Sequence, residues 1–304
     1  MDHSVPDCLS GAGQATKQGR GWPLAWRVRV EHFPPQIAFA RPNRTLAVSL
    51  TGARCALQCA HCGGHYLRGM LAIEDCTAAR AAEATSCLIS GGCDERGRVP
   101  VRAHLDQVQA LRQGRILNWH VGMVGEEDLC AIAPCVDVIS FDFLVDDETI
   151  REVYGLDYTG ADYVHTYEML RRHATVVPHL TVGLRGGRVC GEYRALQALR
   201  DIGLPALVVL VLVPTADTRY AHSQPPAIDE VAEFVATARC ALPDVPIYLG
   251  CMRPGGRYRQ ELDNLAVQAG VNKIVNPAPS AISRATELGL SIAWESECCV
   301  IQRP

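Results

Sequence analysis

Three closely spaced cysteines are the clearest chemical signal in this sequence. Cys55, Cys59 and Cys62 form the pattern CxxxCxxC. Three thiolates on one tight loop can each hold one iron of a cubane 4Fe-4S cluster, which leaves the fourth iron open to a substrate. A zinc knuckle that adds His61 or His65 is the alternative, because zinc prefers four nitrogen or sulfur ligands. Structural zinc sites usually combine two separated pairs of ligands, so the spacing favours iron.

Four further cysteines form a second candidate metal site. Cys93 and Cys251 each follow a predicted strand, and the adjacent Cys298 and Cys299 come near the end of the sequence. If the tail folds back over those strand ends, four thiolates would suit a second iron–sulfur cluster. In the alternative interpretation, Cys93 and Cys251 are small buried apolar residues and the adjacent pair has no partner. We favour the second cluster.

Composition narrows the class of protein. The chain has 304 residues, of which 48% are hydrophobic and 20% charged, as in ordinary globular proteins. A net charge of -4 without a long basic tract argues against a nucleic-acid surface. Residues 1–21 lack the continuous apolar segment of a signal peptide, and no run approaches 18 apolar residues, which argues against a membrane span. We therefore expect a cytoplasmic protein whose 14 cysteines are reduced and serve metal or redox chemistry.

The order of the predicted elements indicates the fold. Helical segments separate most of the predicted strands, and this alternation predicts a parallel sheet. The number of β-α units favours an α/β fold. We expect a (β/α) TIM-type barrel, full or partial, rather than an open doubly wound sheet. We assign 1–44 to an N-terminal extension with an edge segment near Trp26, and 45–304 to one barrel domain whose C-terminal tail folds over the barrel mouth. The eight predicted strands are Leu46–Leu50, Cys87–Ser90, Ile116–Val121, Val136–Phe143, Thr175–Leu184, Ala206–Val213, Val245–Gly250 and Val271–Val275.

The cysteine motif after the first predicted strand resembles that of the radical S-adenosylmethionine (SAM) enzymes. The resemblance implies that the open iron chelates SAM and that an electron from the cluster cleaves it to a 5′-deoxyadenosyl radical, which abstracts hydrogen from substrate. It also implies that His61, at a position often aromatic in the family, packs near adenine. The segment Ser90-Gly91-Gly92 resembles the family's GGE element, which binds the SAM amino group, with Cys93 in place of the acid.

Two charged residues at predicted strand ends are further candidates for SAM binding. Active sites of β/α barrels form from the loops at the C-terminal strand ends. Asp142 ends the fourth predicted strand, where it could hold the ribose hydroxyls or the methionine amine, although a loop or cap aspartate is an equal alternative. Arg185 follows the fifth strand beside Gly186 and Gly187, and it could pair with a carboxylate.

Three segments narrow the resemblance to a subgroup related to biotin synthase. They are Ser49–Tyr66, Ser90–Pro100 and Gly250–Pro254, and they most resemble the two-component lipoyl synthases. The resemblance implies insertion of sulfur at C6 or C8 of a protein-bound octanoyl chain from a sacrificial second cluster. It implies as partners an octanoylated lipoyl carrier protein, a second radical SAM protein and an electron donor such as ferredoxin or flavodoxin. Another radical SAM reaction, such as biotin-type thiolation, methylation or cofactor maturation, is the alternative.

Overall fold

Eleven parallel strands form a single sheet in the computed structural model, which describes residues 22–301. The eight predicted strands are all present, and three further short strands were not predicted. In chain order the strands are β1 Gln36–Ala40, β2 Thr45–Ser49, β3 Leu71–Ala72, β4 Ser86–Ser90, β5 Ile116–His120, β6 Val138–Asp142, β7 Thr175–Val182, β8 Leu207–Val211, β9 Ile247–Leu249, β10 Lys273–Val275 and β11 Ser291–Glu295.

The sheet curls into a half-barrel, as the short connection between β1 and β2 requires. The spatial order is β11-β1-β10-β9-β8-β7-β6-β5-β4-β2-β3. In a flat sheet, β1 and β2 would lie roughly 38 Å apart, because neighbouring strands are spaced by about 4.8 Å. Residues 41–44 join them, and a segment of that length spans at most about 18 Å. The predicted fold class, an α/β barrel of TIM type, full or partial, is confirmed, and the sheet has the partial form.

Ten α-helices accompany the strands within residues 22–301. In chain order they are α1 Trp22–His32, α2 Ala78–Ala81, α3 Leu105–Leu111, α4 Glu126–Ile132, α5 Asp147–Thr149, α6 Gly160–Arg171, α7 Glu192–Ile202, α8 Ile228–Ala241, α9 Gly256–Gln268 and α10 Pro279–Glu287. Short 3₁₀ segments lie at His65–Gly69, Ile73–Asp75 and Ala133–Cys135, and a π-helical turn at Ile150–Tyr154. None of the described helices is long and apolar enough to cross a membrane.

The N-terminal segment differs from the prediction. The segment around Trp26 was expected to be an edge segment, but it lies in helix α1, where Ala25 and Arg29 are buried one turn apart. Strand β1 also belongs to the segment assigned as an extension, yet it lies inside the sheet between β10 and β11. Its partner strands come more than 230 residues later in the chain, and local sequence patterns do not reveal such distant pairings. Residues 1–21 lie outside the described part of the chain.

The C-terminal tail, residues 296–301, lies inside the half-barrel, whereas we expected it to cover the mouth. The Arg44 amide donates to the Ser296 carbonyl, and the Cys298 amide donates to the Thr45 hydroxyl at 2.8 Å. Three of the last described residues then pack against inward-facing residues of the strands. This inner cluster contains Cys299, Val300 and Ile301 with Val138, Val177, Val208, Tyr248 and Val275. The tail therefore fills the barrel interior between the strands.

Candidate functional site

The cysteine loop follows strand β2, and two hydroxyl groups hold its start. The buried Ser49 hydroxyl donates to the Gly52 carbonyl at 2.6 Å. The Thr51 hydroxyl donates to the Arg54 carbonyl at 2.8 Å and accepts from the Gly92 amide at 2.7 Å. These bonds join the loop after β2 to the loop after β4. Thr51 was not among the predicted site residues, although it precedes the first motif cysteine by only four residues.

Gly92 is the point of closest approach between the two loops. A Cβ atom at this position would lie 1.9 Å from the Arg54 carbonyl oxygen, so only glycine fits. The loop approach brings Cys93 against Cys55: the Cys93 amide donates to the Cys55 sulfur at 3.3 Å, and the Ala56 amide donates to the Cys93 carbonyl at 2.8 Å. Cys93 therefore belongs to the environment of the first motif.

Alanine at Gly92 is expected to separate the two loops. The added methyl group cannot be accommodated without moving the Arg54 backbone, and we expect a loss of about 1–3 kcal/mol in unfolding free energy together with a lower iron content after reconstitution. Denaturant unfolding and iron analysis provide the measurements. Gly69→Ala is the matched control, because a Cβ there meets nothing within 4 Å. A Gly92→Ala protein as stable and as rich in iron as this control would contradict the assignment.

The three motif cysteines fit an iron–sulfur cluster. Burial raises the pKa of Cys59 to about 12, and the nearby thiols of Cys62 and Cys55 add to the shift because each opposes the ionisation of its neighbours. Bound iron would compensate those charges, and the Cys93 amide already donates to one sulfur. Within residues 22–301, no three His, Cys, Asp or Glu side chains converge to hold a single metal ion. A cubane cluster does not need such convergence, because each thiolate binds its own iron.

Asp142 lies near this loop and forms an ion pair with His120. The distance between His120 Nε2 and Asp142 Oδ2 is 3.3 Å. Burial alone would raise the pKa of Asp142, but His120, with smaller contributions from His179 and His61, lowers it to about 2. Burial likewise opposes the charge on His120, but Asp142 raises the His120 pKa overall. The Ser90 hydroxyl donates to the His120 carbonyl at 3.0 Å. The site thus holds a carboxylate beside the cysteine loop.

His61 has an unsatisfied ring nitrogen. Its buried Nδ1 has no hydrogen-bond partner among the described residues, and its ring meets that of Tyr154 edge-on at 5.7 Å between centroids. Burial lowers the pKa of His61 to about 4, so the imidazole is neutral near pH 7. A buried polar atom without a partner costs free energy, which a bound molecule could offset. Beside the same loop, a cavity of about 350 Å³ is lined by Thr51, Arg54, Cys55, Ala56, Gly92, Cys93, Asp94 and Pro100.

Arg185 is already paired with protein carboxylates. Its guanidinium contacts Glu148 and donates through Nε to Glu152 at 2.6 Å. Glu152 also accepts from the Tyr220 hydroxyl at 2.6 Å. We expected Arg185 to pair with the carboxylate of a cofactor, but in the structure it has three acidic side-chain partners, because Asp146 also lies 4.0 Å from the guanidinium. These acids come from 146–152, a segment that the sequence did not connect with this strand end.

The second group of cysteines is divided by the fold. Cys93 lies against Cys55, whereas Cys298 and Cys299 lie inside the half-barrel with their sulfur atoms 3.8 Å apart. Cys251, on the loop after β9, is close enough to influence the pKa of Cys299. Hydrogen bonds, led by the one from Cys299, lower the pKa of Cys298 to about 7. The expected set of four is therefore divided, because the tail enters the barrel interior. Cys298 and Cys299 lie together there, Cys251 is exposed on its loop, and Cys93 lies apart from them against Cys55.

Two charged residues hold the tail in place. Lys273 Nζ pairs with Glu295 at 2.7 Å and donates to the carbonyls of Cys299 and Ile301, each at 3.2 Å. The buried Glu297 carboxylate accepts from the hydroxyls of Thr45, Thr85 and Ser86. Since Thr45 and Ser86 begin β2 and β4, the tail is anchored at the N-terminal ends of those strands. The anchors fix the positions of Cys298 and Cys299 relative to the sheet.

Comparisons with known proteins identify the fold. No family model matches the chain, and no curated protein does. Among solved structures, methylornithine synthase (PylB) matches with a TM-score of 0.68 at 15% identity, over 95% of this chain and 94% of that one. HydG, a maturase of the [FeFe]-hydrogenase, matches with a TM-score of 0.66 at 14% identity, over 90% of this chain and 68% of that one. At these identities the similarity is one of fold.

Proposed function

We propose that this chain is a radical SAM enzyme, with a 4Fe-4S cluster held by Cys55, Cys59 and Cys62. The observation that carries the proposal is the CxxxCxxC loop after β2 of a parallel half-barrel, with the Cys93 amide donating to one of its sulfur atoms. Methylornithine synthase and HydG, which share the fold, are radical SAM enzymes, and this supports the same general chemistry.

The cluster with bound SAM would supply a 5′-deoxyadenosyl radical able to remove hydrogen from an unactivated carbon. The surrounding residues bind and orient. Asp142, ionised because its pKa is lowered to about 2, is the group that would accept hydrogen bonds from an amine or from ribose hydroxyls. His61 would present its unpartnered Nδ1 to the cofactor. Ser90, Gly91 and Gly92 would bind the SAM amino group, as their resemblance to the GGE element implies. Gly92 lines the cavity beside the cysteine loop, and its amide donates to the Thr51 hydroxyl.

We further propose that the reaction is sulfur insertion at C6 or C8 of an octanoyl chain. Cys298 and Cys299 support this proposal, because their sulfur atoms lie together inside the half-barrel, and Cys251, exposed on the loop after β9, is close enough to influence the pKa of Cys299. A second 4Fe-4S cluster held by these thiols would supply the sulfur. The substrate would be an octanoylated lipoyl carrier protein, with a second radical SAM protein as partner and ferredoxin or flavodoxin as electron donor. The position of Cys93 favours the alternative, another radical SAM reaction such as biotin-type thiolation, methylation or cofactor maturation, because it removes one expected ligand from that cluster.

Iron counting tests both levels of the proposal. Anaerobic reconstitution of the wild-type chain should give about eight irons and sulfides, and the Cys251→Ala/Cys298→Ala/Cys299→Ala variant should give about four. Reductive cleavage of SAM under dithionite should persist in the variant. Four irons in both proteins would refute the sacrificial cluster and leave the alternative radical chemistries. Zinc without SAM cleavage would refute the radical SAM assignment itself.

A further inference from the structure

His120 has one ring nitrogen that is paired and one without a partner. It ends strand β5, and its Nε2 lies 3.3 Å from Oδ2 of Asp142, which ends β6. A carboxylate only accepts hydrogen bonds, so Nε2 carries a hydrogen. No hydrogen bond within residues 22–301 involves Nδ1, and 33% of the His120 side chain is exposed. Nδ1 is therefore available to a ligand.

Three contacts hold His120 in one orientation. Besides its pairing with Asp142, the ring stacks on that of His179, with 6.1 Å between centroids and 21° between planes. The Ser90 hydroxyl donates to the His120 carbonyl at 3.0 Å and holds the backbone at the end of the strand. A side chain that is already oriented loses little conformational freedom when it binds a ligand. The arrangement therefore suits recognition of one atom at a defined position.

His120 lies on the inner face of the half-barrel, one layer above the tail. Side chains two residues apart on a strand point to the same face, so His120 shares this face with Asn118, whose Nδ2 donates to the Cys298 sulfur at 3.8 Å. The two positions are about 6.6 Å apart along the strand. Asn118 is in register with Val138, which belongs to the apolar inner cluster. A ligand held at His120 can therefore extend inward from a polar layer towards Cys298 and an apolar one.

We propose that His120, through Nδ1, binds the carbonyl oxygen of the acyl substrate. The inference rests on the proposed octanoyl substrate and names the residue that positions it. A carrier protein approaches from the barrel mouth, at the carboxyl ends of the strands, so the acyl carbonyl lies at the mouth end and the hydrocarbon extends inward. An imidazolium has a hydrogen on both nitrogens, so His120 can pair with Asp142 and donate from Nδ1 to the carbonyl oxygen. The ion pair uses Oδ2 of Asp142 and leaves Oδ1 for the cofactor.

Affinity for the acyl substrate should fall as the pH rises. Three titratable groups act on His120: Asp142 on β6, His179 on β7 and Cys298 on the tail. The surrounding protein opposes a charge on His120, but Asp142 raises its pKa overall. Above that pKa, Nδ1 of the neutral ring has only a lone pair, which repels a carbonyl oxygen. Binding should therefore weaken between about pH 6 and about pH 9 in the wild type, and much less in His120→Gln, whose amide does not titrate.

Isotope-edited infrared spectroscopy tests the contact directly. The ligand is an octanoylated lipoyl carrier protein with ¹³C at the acyl carbonyl, bound to the reconstituted full chain without reductant, so that no turnover occurs. A hydrogen bond from His120 should move the carbonyl band to lower frequency. His120→Leu should abolish the shift and weaken binding by roughly 10–100-fold, whereas His120→Gln, which keeps an N–H donor, should restore part of both. His165→Gln is the control, because His165 is exposed on helix α6.

The outcomes distinguish the contact from the function on which it depends. An octanoylated carrier protein that binds the wild type without a carbonyl shift, or that binds His120→Leu as tightly as the control, would overturn the role of His120 and leave the substrate standing. A carrier protein that binds no better with the octanoyl group than without it would overturn the proposed substrate and the inference with it. SAM cleavage by the wild-type chain, assayed in parallel, shows whether the radical SAM assignment survives that result.

Discussion

Cys59→Ala is expected to abolish reductive SAM cleavage and to remove about four irons per chain. Cys59 is the central cysteine of the motif. Burial and the two neighbouring motif thiols raise its pKa. Two remaining cysteines cannot hold three irons of a cubane, so the cluster should not assemble. Anaerobic reconstitution, iron and sulfide analysis, and detection of 5′-deoxyadenosine after dithionite reduction are the measurements.

Cys130→Ala is the control for that experiment. Cys130 is exposed on helix α4. The control should retain both its iron content and SAM cleavage. If Cys59→Ala cleaves SAM as the control does, the motif does not hold the reactive cluster and the proposed function is wrong.

Asp263→Ala should produce the largest loss of stability among the predicted substitutions, about 3–5 kcal/mol in unfolding free energy. Asp263 and Arg253 are fully buried, and the guanidinium donates to both carboxylate oxygens, at 2.7 and 2.8 Å. Arg253 also donates to the carbonyls of Gly250, Val275 and Asn276. Removal of the carboxylate leaves a buried guanidinium without its counter-charge, and it frees the loop that carries Cys251.

Urea denaturation of the metal-free protein measures this effect, and an exposed pair provides the comparison. Glu261 pairs with Arg257 on the surface of helix α9, so Glu261→Ala should cost less than about 1 kcal/mol. Replacing both buried partners, as Arg253→Met/Asp263→Leu, should recover part of the lost stability. Equal losses for Asp263→Ala and Glu261→Ala would contradict the structural role assigned to Arg253.

The sequence predicted the strands well because their signals are local. Apolar runs such as 207–211 mark strands buried on both faces, and the alternation with helices predicted a parallel sheet. Strand β1 was missed because it lies in the segment assigned to the N-terminal extension and its partners, β10 and β11, come from the other end of the sequence. Strand β11 was missed because, at the edge of the sheet, it is half exposed and lacks an apolar run.

The candidate site was predictable where its residues are close in the chain. The motif from Cys55 to Cys62 needs only one loop, whereas the grouping of Cys93 with Cys251 and the tail depended on where three distant segments meet. Arg253, on the loop after β9, illustrates the same limit. Its role became clear only through Asp263, ten residues later and on a different element.

The place of β1 in the sheet also governs how the protein is made. This strand leaves the ribosome more than 230 residues before β10 and β11, between which it lies. At typical synthesis rates of about 5–20 residues per second, both of its edges stay unpaired for on the order of 10 to 50 seconds. Pairings so distant in sequence also slow folding itself. Cells that produce this chain must therefore keep an apolar strand from aggregating until β10 and β11 have been synthesised.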